Sequence, residues 1–146
     1  MSALKQVTRQ VLWVVLSAVA ILLPGCSDLT LSNGDEVMLS GQQEVPPVTT
    51  SASGNGTITV GPDKSVSGSI TTTGVAATAA HIHDGAPGRN GPVMMPLVRT
   101  SENVWSVPAG ARLTDVQHES YRAGNLYVNV HSAAHKGGEI RGQLRP

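Results

Sequence analysis

Five histidines carry the chemistry this sequence can offer: His81, His83, His118, His131 and His135. His81-Ile82-His83 falls in a strand-forming run, where side chains at i and i+2 leave the same face with Cα atoms about 6.5–7 Å apart. Two imidazoles so spaced can converge on one ion, while Ile82 points into the core. Leu126-Tyr127-Val128-Asn129-Val130-His131 divides in the same way. Leu126, Val128 and Val130 are expected inside, and Tyr127, Asn129 and His131 on the opposite, outer face. His131 joins the pair if the two strands are neighbours. His135 follows in Ser132-Ala133-Ala134-His135-Lys136-Gly137-Gly138, a turn able to fold it back as a fourth ligand. Neutral imidazoles suit copper, zinc and nickel, and a nitrogen set without sulfur leans toward Cu(II) or Zn(II). Asp84, beside the pair, reads either as a hydrogen-bond acceptor that orients a ligand or as the start of a turn. Spacing alone leaves the plainer alternative open, in which strand histidines are solvated or bonded to a carboxylate. His118, next to Glu119 in a helical segment, reads as a surface group.

Other chemistries find little support. Ser132 follows His131 directly, but strand neighbours face opposite sides, which makes a poor nucleophile and base pair. The acidic residues are scattered, and Arg141 reads as a salt-bridge partner for Glu139 or Asp84. Met94 and Met95 point apart on a strand, so at most one thioether could face a Cu(I) site, and core packing is the expected role. Gly85, Gly88 and Gly91 lack the following helix that a phosphate cradle needs.

The elements that must position the histidines are strands. From Asp35 onward, short alternating runs rich in Val, Ile and Thr recur between Gly, Pro, Asn and Asp, the pattern of an all-β antiparallel Greek-key sandwich or barrel. Strands are predicted near residues 36–43, 55–61, 65–73, 77–83, 92–99, 103–107, 125–131 and 138–144. Gly61-Pro62-Asp63-Lys64 should close a hairpin, and the Gly- and Pro-rich stretch 85–92 should be a loop. One short helix is predicted from Leu113 to Ala123, with Thr114 as N-cap and Gly124 just past its end. Trp105, Tyr121 and Tyr127 are expected to anchor a thin, mainly aliphatic core that contains no Phe.

The start of the chain is of a different kind. Lys5 and Arg9 precede an apolar stretch from Val11 to Leu23, the layout of a secretory signal and too short for a comfortable membrane span of roughly 20 residues. It ends in Leu23-Pro24-Gly25-Cys26, which resembles the bacterial lipobox. The expectation is a signal peptide over residues 1–25, lipidated Cys26 with a tether over 26–35, and one β domain over 36–146. Several acyl chains on Cys26 would hold the protein at a membrane. Ser27 in the place after Cys26, with Asp28 one later, favours the outer membrane facing the periplasm, or the cell surface. Without residues 1–25, eight Lys and Arg stand against ten Asp and Glu, a formal charge of −2 that points to no nucleic-acid partner. Cys26 is the single cysteine, so no disulfide within the chain can brace the domain.

A family resemblance enters with whole segments. Leu39-Ser40-Gly41-Gln42-Gln43-Glu44-Val45-Pro46-Pro47-Val48, Ala80-His81-Ile82-His83-Asp84-Gly85 with Gly88, Gly91, Pro92 and Val93, the run from Tyr121 to Ser132, and His135 with Gly138-Glu139-Ile140-Arg141-Gly142-Gln143-Leu144 together resemble the CHRD domain, named for its occurrence in chordin. The resemblance covers about residues 36–145 and implies a β-rich extracytoplasmic module often found on exported bacterial proteins. The histidine pattern also resembles, more weakly, the copper site of copper-zinc superoxide dismutases. It departs from them in having no His between His83 and His118, no zinc subsite and no disulfide cysteines. The expected role is therefore copper binding, with zinc as the second choice, through His81, His83, His131 and His135, for storage or delivery in the cell envelope rather than catalysis. An interaction module that docks another envelope protein or a cell-wall component is the alternative, and a copper-dependent oxidoreductase the third.

Overall fold

The alternating runs fold as nine strands of one antiparallel sheet: β1 (Asp35–Ser40), β2 (Ser53–Val60), β3 (Val66–Thr73), β4 (Ala77–Asp84), β5 (Val93–Pro96), β6 (Val98–Ser101), β7 (Val104–Ser106), β8 (Leu126–Ser132) and β9 (Ile140–Gln143), with α1 (Asp115–Arg122) between β7 and β8. The computed structural model describes residues 34–146. The expected signal segment, Cys26 and all but the last two tether residues lie outside the described residues. Strand order is β5-β4-β8-β9-β1-β2-β3-β7-β6. The chain steps between neighbours from β1 to β3, then crosses to β4 at the far side and returns through α1 to β8, the non-local connectivity of a Greek key.

That order implies near-closure. The two terminal strands of the sheet, β5 and β6, are separated in the chain by Leu97 alone, so the sheet must curl until its edges meet. A single strand is predicted over 92–99, and the structure divides it here. Pro96 has no N–H to extend the ladder, and Leu97 turns its side chain into the core while its N–H donates to the Ala80 carbonyl at 2.9 Å. The chain then leaves β4 and pairs with β7. The first strand likewise ends at Ser40, short of the predicted 43, because residues 41–43 form a tight turn in which Glu44 and Val48 N–H groups both donate to the Gly41 carbonyl.

Inside the curled sheet Val37, Leu39, Ile58, Ile70, Ile82, Leu126, Val128, Val130 and Ile140 are buried, each contributing about 1.5–3 kcal/mol of transfer free energy. The hairpin at residues 61–64 closes as expected, with Gly61 N–H donating to Ser65 O and Lys64 N–H to Gly61 O, both at 2.8 Å. The short helix forms where predicted. Thr114 Oγ1 accepts from Gln117 N–H at 3.2 Å, and Gln117 Oε1 accepts from Thr114 N–H at 2.9 Å, a reciprocal cap that satisfies two otherwise orphaned donors. Tyr121 is the side chain that α1 buries. Among the described residues no helix is long and apolar enough to cross a membrane.

Candidate metal centre

β4 and β8 are neighbours, and their register sets Ala79 against His131, His81 against Asn129 and His83 against Tyr127. His81 and His83 therefore leave the same face of β4, and His131 leaves that face of β8 one position beyond His81. Ring centroids are 4.9 Å apart for His81 and His131, and 5.7 Å apart for both other pairs. One nitrogen from each ring lies within 4.8 Å of the others, the one such three-donor group among the described residues. His135 and His118 are not among the convergent donors. His135 is held in its turn by its backbone, with its N–H donating to Ser132 Oγ at 3.1 Å and its carbonyl accepting from Gly138 N–H. His118 stacks on Tyr121 on the helix.

Backbone carbonyls settle which nitrogens face inward. His83 Nδ1 lies 3.0 Å from Gly91 O and His131 Nδ1 lies 3.0 Å from Lys136 O; a carbonyl only accepts, so in the neutral rings both Nδ1 atoms carry the proton. Each ring is thus left with an Nε2 lone pair. That of His131 lies 3.0 Å from His81 Nδ1, whereas the buried Nε2 of His83 has no hydrogen-bond partner. An ion would supply that partner. Two donors about 2.0–2.1 Å from a tetrahedral centre are roughly 3.3–3.4 Å apart, so the His81–His131 pair is close to ligand spacing and the third ring would need to approach by about 1.5 Å at most. The acceptor that orients His83 is Gly91 O rather than a carboxylate; Asp84 holds the same loop through its backbone, its N–H donating to Pro92 O at 3.1 Å.

The outer face on which these rings stand is not open. His83, Tyr127, Asn129 and Arg141 are all buried there, because the 85–92 loop folds back over His83, Tyr127 and Arg141, and Glu44 lies against Asn129. Arg141 is not paired with Glu139 or Asp84, as its sequence position suggests. Its guanidinium sits 3.5 Å from the Tyr127 ring centre and donates to Arg89 O at 2.9 Å, Ala86 O at 3.3 Å and Gln143 Oε1 at 2.8 Å. Tyr127, with β9 on one side and β4 on the other, stacks on His83 with centroids 4.9 Å apart and planes 15° from parallel. Arg141, Tyr127 and His83 thus form a column that ends at the histidine cluster. Tyr127 is buried as expected, but in this polar layer and not in the aliphatic core.

The CHRD domain family model matches residues 36–144. The chain belongs to the CHRD domain family. No curated protein and no solved structure matches it.

Electrostatics in this CHRD domain favour neutral, ligand-ready rings. Burial, followed by the nearby imidazoles of His131 and His83, holds the pKa of His81 below its ordinary value. Burial also lowers that of His83; the Gly91 hydrogen bond opposes this, and His131 and Arg141 lower it further. Glu44, from the turn after β1, lies buried on the same face, where Asn129 Nδ2 donates to its Oε2 at 3.3 Å. Burial pushes the Glu44 carboxyl up to about 7, against the pull of Asn129 and Arg141. Glu44 Oε1 and Asn129 Oδ1 have no partner among the described residues, and both flank Gly138. Both are acceptors, so one proton on Glu44 would serve the two together.

Tyr127, Asn129, Gly91, Glu44 and Arg141 are the parts of this CHRD domain that residue-by-residue reasoning missed as site residues. Every one of them lies in or beside a segment that carries the family resemblance, which is the signal that could have found them. Met94 and Met95 both pack partly buried against the core, as expected.

Proposed function

We propose that this CHRD domain binds one divalent transition-metal ion, copper in preference to zinc, through His81, His83 and His131. The reading rests above all on three convergent ring nitrogens, and the buried, unpartnered Nε2 of His83 supports it. The donor set has no sulfur and no carboxylate, and all-nitrogen sites bind Cu(II) most tightly among the first-row divalent ions. His135, expected as the fourth ligand, is not among the convergent donors, and this reading leaves the fourth position open. The role is binding, storage or delivery in the cell envelope. Membership of a family of extracytoplasmic modules supports that placement, and acylation of Cys26 would hold the domain at the membrane.

The test is thermal melting of the purified full-length chain in detergent with and without copper or zinc. A ligand bound only by the folded form raises the midpoint, by an amount that His81→Ala with His83→Ala abolishes. An unchanged midpoint in the wild type would overturn the metal reading and favour the interaction module. Cys26→Ser is expected to release the protein from the membrane fraction, and continued sedimentation with membranes would remove the lipid-anchor reading.

A further inference from the structure

The metal reading leaves one side of the histidine cluster unexplained. A cavity of about 570 Å³ opens beside it, and two of the three candidate ligands, His81 and His131, line its wall while the buried His83 does not. The rest of the wall is small and mostly apolar, with Ala79, Ala133 and Val93, and Lys136 also lines it. Of the two hydroxyls present, Thr78 Oγ1 donates to His131 O at 3.2 Å, and Ser132 Oγ accepts from His135 N–H. No acidic side chain lines the cavity.

We infer that this groove is a binding site for a small organic carboxylate, which enters beside Lys136 and completes the coordination of the metal. The inference rests on the metal reading above. Three imidazoles are one donor short of a tetrahedral set, and three neutral rings leave the full double charge of the ion uncompensated. An anion answers both needs. Lys136 adds a second positive charge to the wall, on a turn whose backbone is held where the Lys136 carbonyl meets His131 Nδ1. The apolar wall distinguishes a carboxylate with a short hydrocarbon body from a bare inorganic anion, since each methylene buried there adds about fourfold in affinity. The volume is that of a small-molecule pocket.

The experiment uses the full-length chain loaded with one equivalent of Cu(II), uptake being verified by metal analysis, and titrates it with azide, acetate and butyrate while following the visible and electron paramagnetic resonance spectra. Azide reports the open position. Butyrate, with two more methylenes, is expected to bind up to about 16-fold tighter than acetate, and Lys136→Glu to weaken all three anions about fivefold or more without changing copper stoichiometry. A spectrum that no anion changes overturns this inference while leaving the metal site intact. Azide binding with no gain from acetate to butyrate, or with no loss in Lys136→Glu, overturns the groove as the recognising surface. Failure to take up copper removes the metal reading and this one with it.

Discussion

Leu126, Val128 and Val130 on one face of β8, and Tyr127, Asn129 and His131 on the other, are carried by the same six residues of backbone but are held by different physics. The first three are enclosed by aliphatic neighbours, an attraction without direction that tolerates changes of shape if volume is kept. The second three sit among donors and acceptors that must each find a partner at a set distance. The aliphatic face therefore supplies stability, and the polar face supplies position. What it positions is lone pairs: two imidazoles are tied by backbone carbonyls through Nδ1, and the nitrogens left over meet at one place. A polar layer that satisfied every atom would have no chemistry left to perform.

The sharpest way to break this comparison is to remove its most connected polar group. Arg141→Ala leaves the Arg89 carbonyl and the Gln143 side-chain oxygen without that donor, removes one of the two donors to the Ala86 carbonyl, and takes the cation from Tyr127. The expected cost is about 4 kcal/mol by chemical denaturation, because each buried acceptor left unpaired costs about 1–3 kcal/mol. Val128→Ala on the aliphatic face should cost only about 2–3 kcal/mol. If Arg141→Ala proves the milder of the two, the polar layer is decoration on a fold set entirely by the core.

Two glycines of the loop that covers the polar face sharpen the point at a smaller scale. A Cβ at Gly91 would fall onto the Asp84 carbonyl, whereas one at Gly88 meets nothing and strains only the backbone, whose φ is +73°. Gly88→Ala should therefore cost about 1 kcal/mol. Gly91→Ala should cost about 2–3 kcal/mol and also displace the carbonyl that orients His83, weakening copper binding about 10- to 100-fold. Equal copper affinity in the two variants would mean that the loop does not set the ring.

The two faces were also unequally legible in the sequence. Alternation alone placed Ile82, Leu126, Val128 and Val130 inside, and the i, i+2 spacing put His81 and His83 on one side with His131 able to join them. The neighbour relation between β4 and β8 was not available from residue pattern, since it depends on two long crossings of the chain; it entered only as a condition. Burial of the outer face was hidden for a related reason. Alternation reads a polar residue as solvent-facing, so Tyr127, Asn129 and Arg141 looked exposed or core-bound, whereas a loop 36 to 52 residues earlier covers Tyr127 and Arg141, and Glu44 lies against Asn129. Arg141 was expected to seek a carboxylate, but a guanidinium with five donors is served as well by carbonyls converging from a tight loop, and no spacing rule shows such a loop. The break at Leu97 was similarly obscured, because the run 92–99 keeps its strand-like residues while changing partners.

Titration separates the two components of the polar face by sign. His81 and His83 have lowered pKa values in the fold, so the unfolded chain binds more protons than the native one as pH falls below about 6.5. Their contribution is complete above that value and is lost as pH drops through the native pKa values. Glu44 runs the other way. Its carboxyl is raised to about 7, so its contribution is complete below the unfolded value and is lost as pH rises through about 7. Without metal, wild-type stability should consequently change little between pH 5 and 8, with two opposed slopes hidden inside it. Glu44→Gln exposes them: the amide keeps a donor for Asn129 Oδ1 and carries no charge at any pH. The variant should match the wild type near pH 4.5 and exceed it by about 1–2 kcal/mol at pH 8, leaving a profile in which the fall toward acid through the histidines is no longer masked by Glu44. Urea titrations of both proteins across that range provide the measurement. A Glu44→Gln variant that is no more stable than wild type at pH 8 would show that the carboxylate is comfortably ionised beside Arg141, and that the two oxygens at Gly138 are not waiting for a proton.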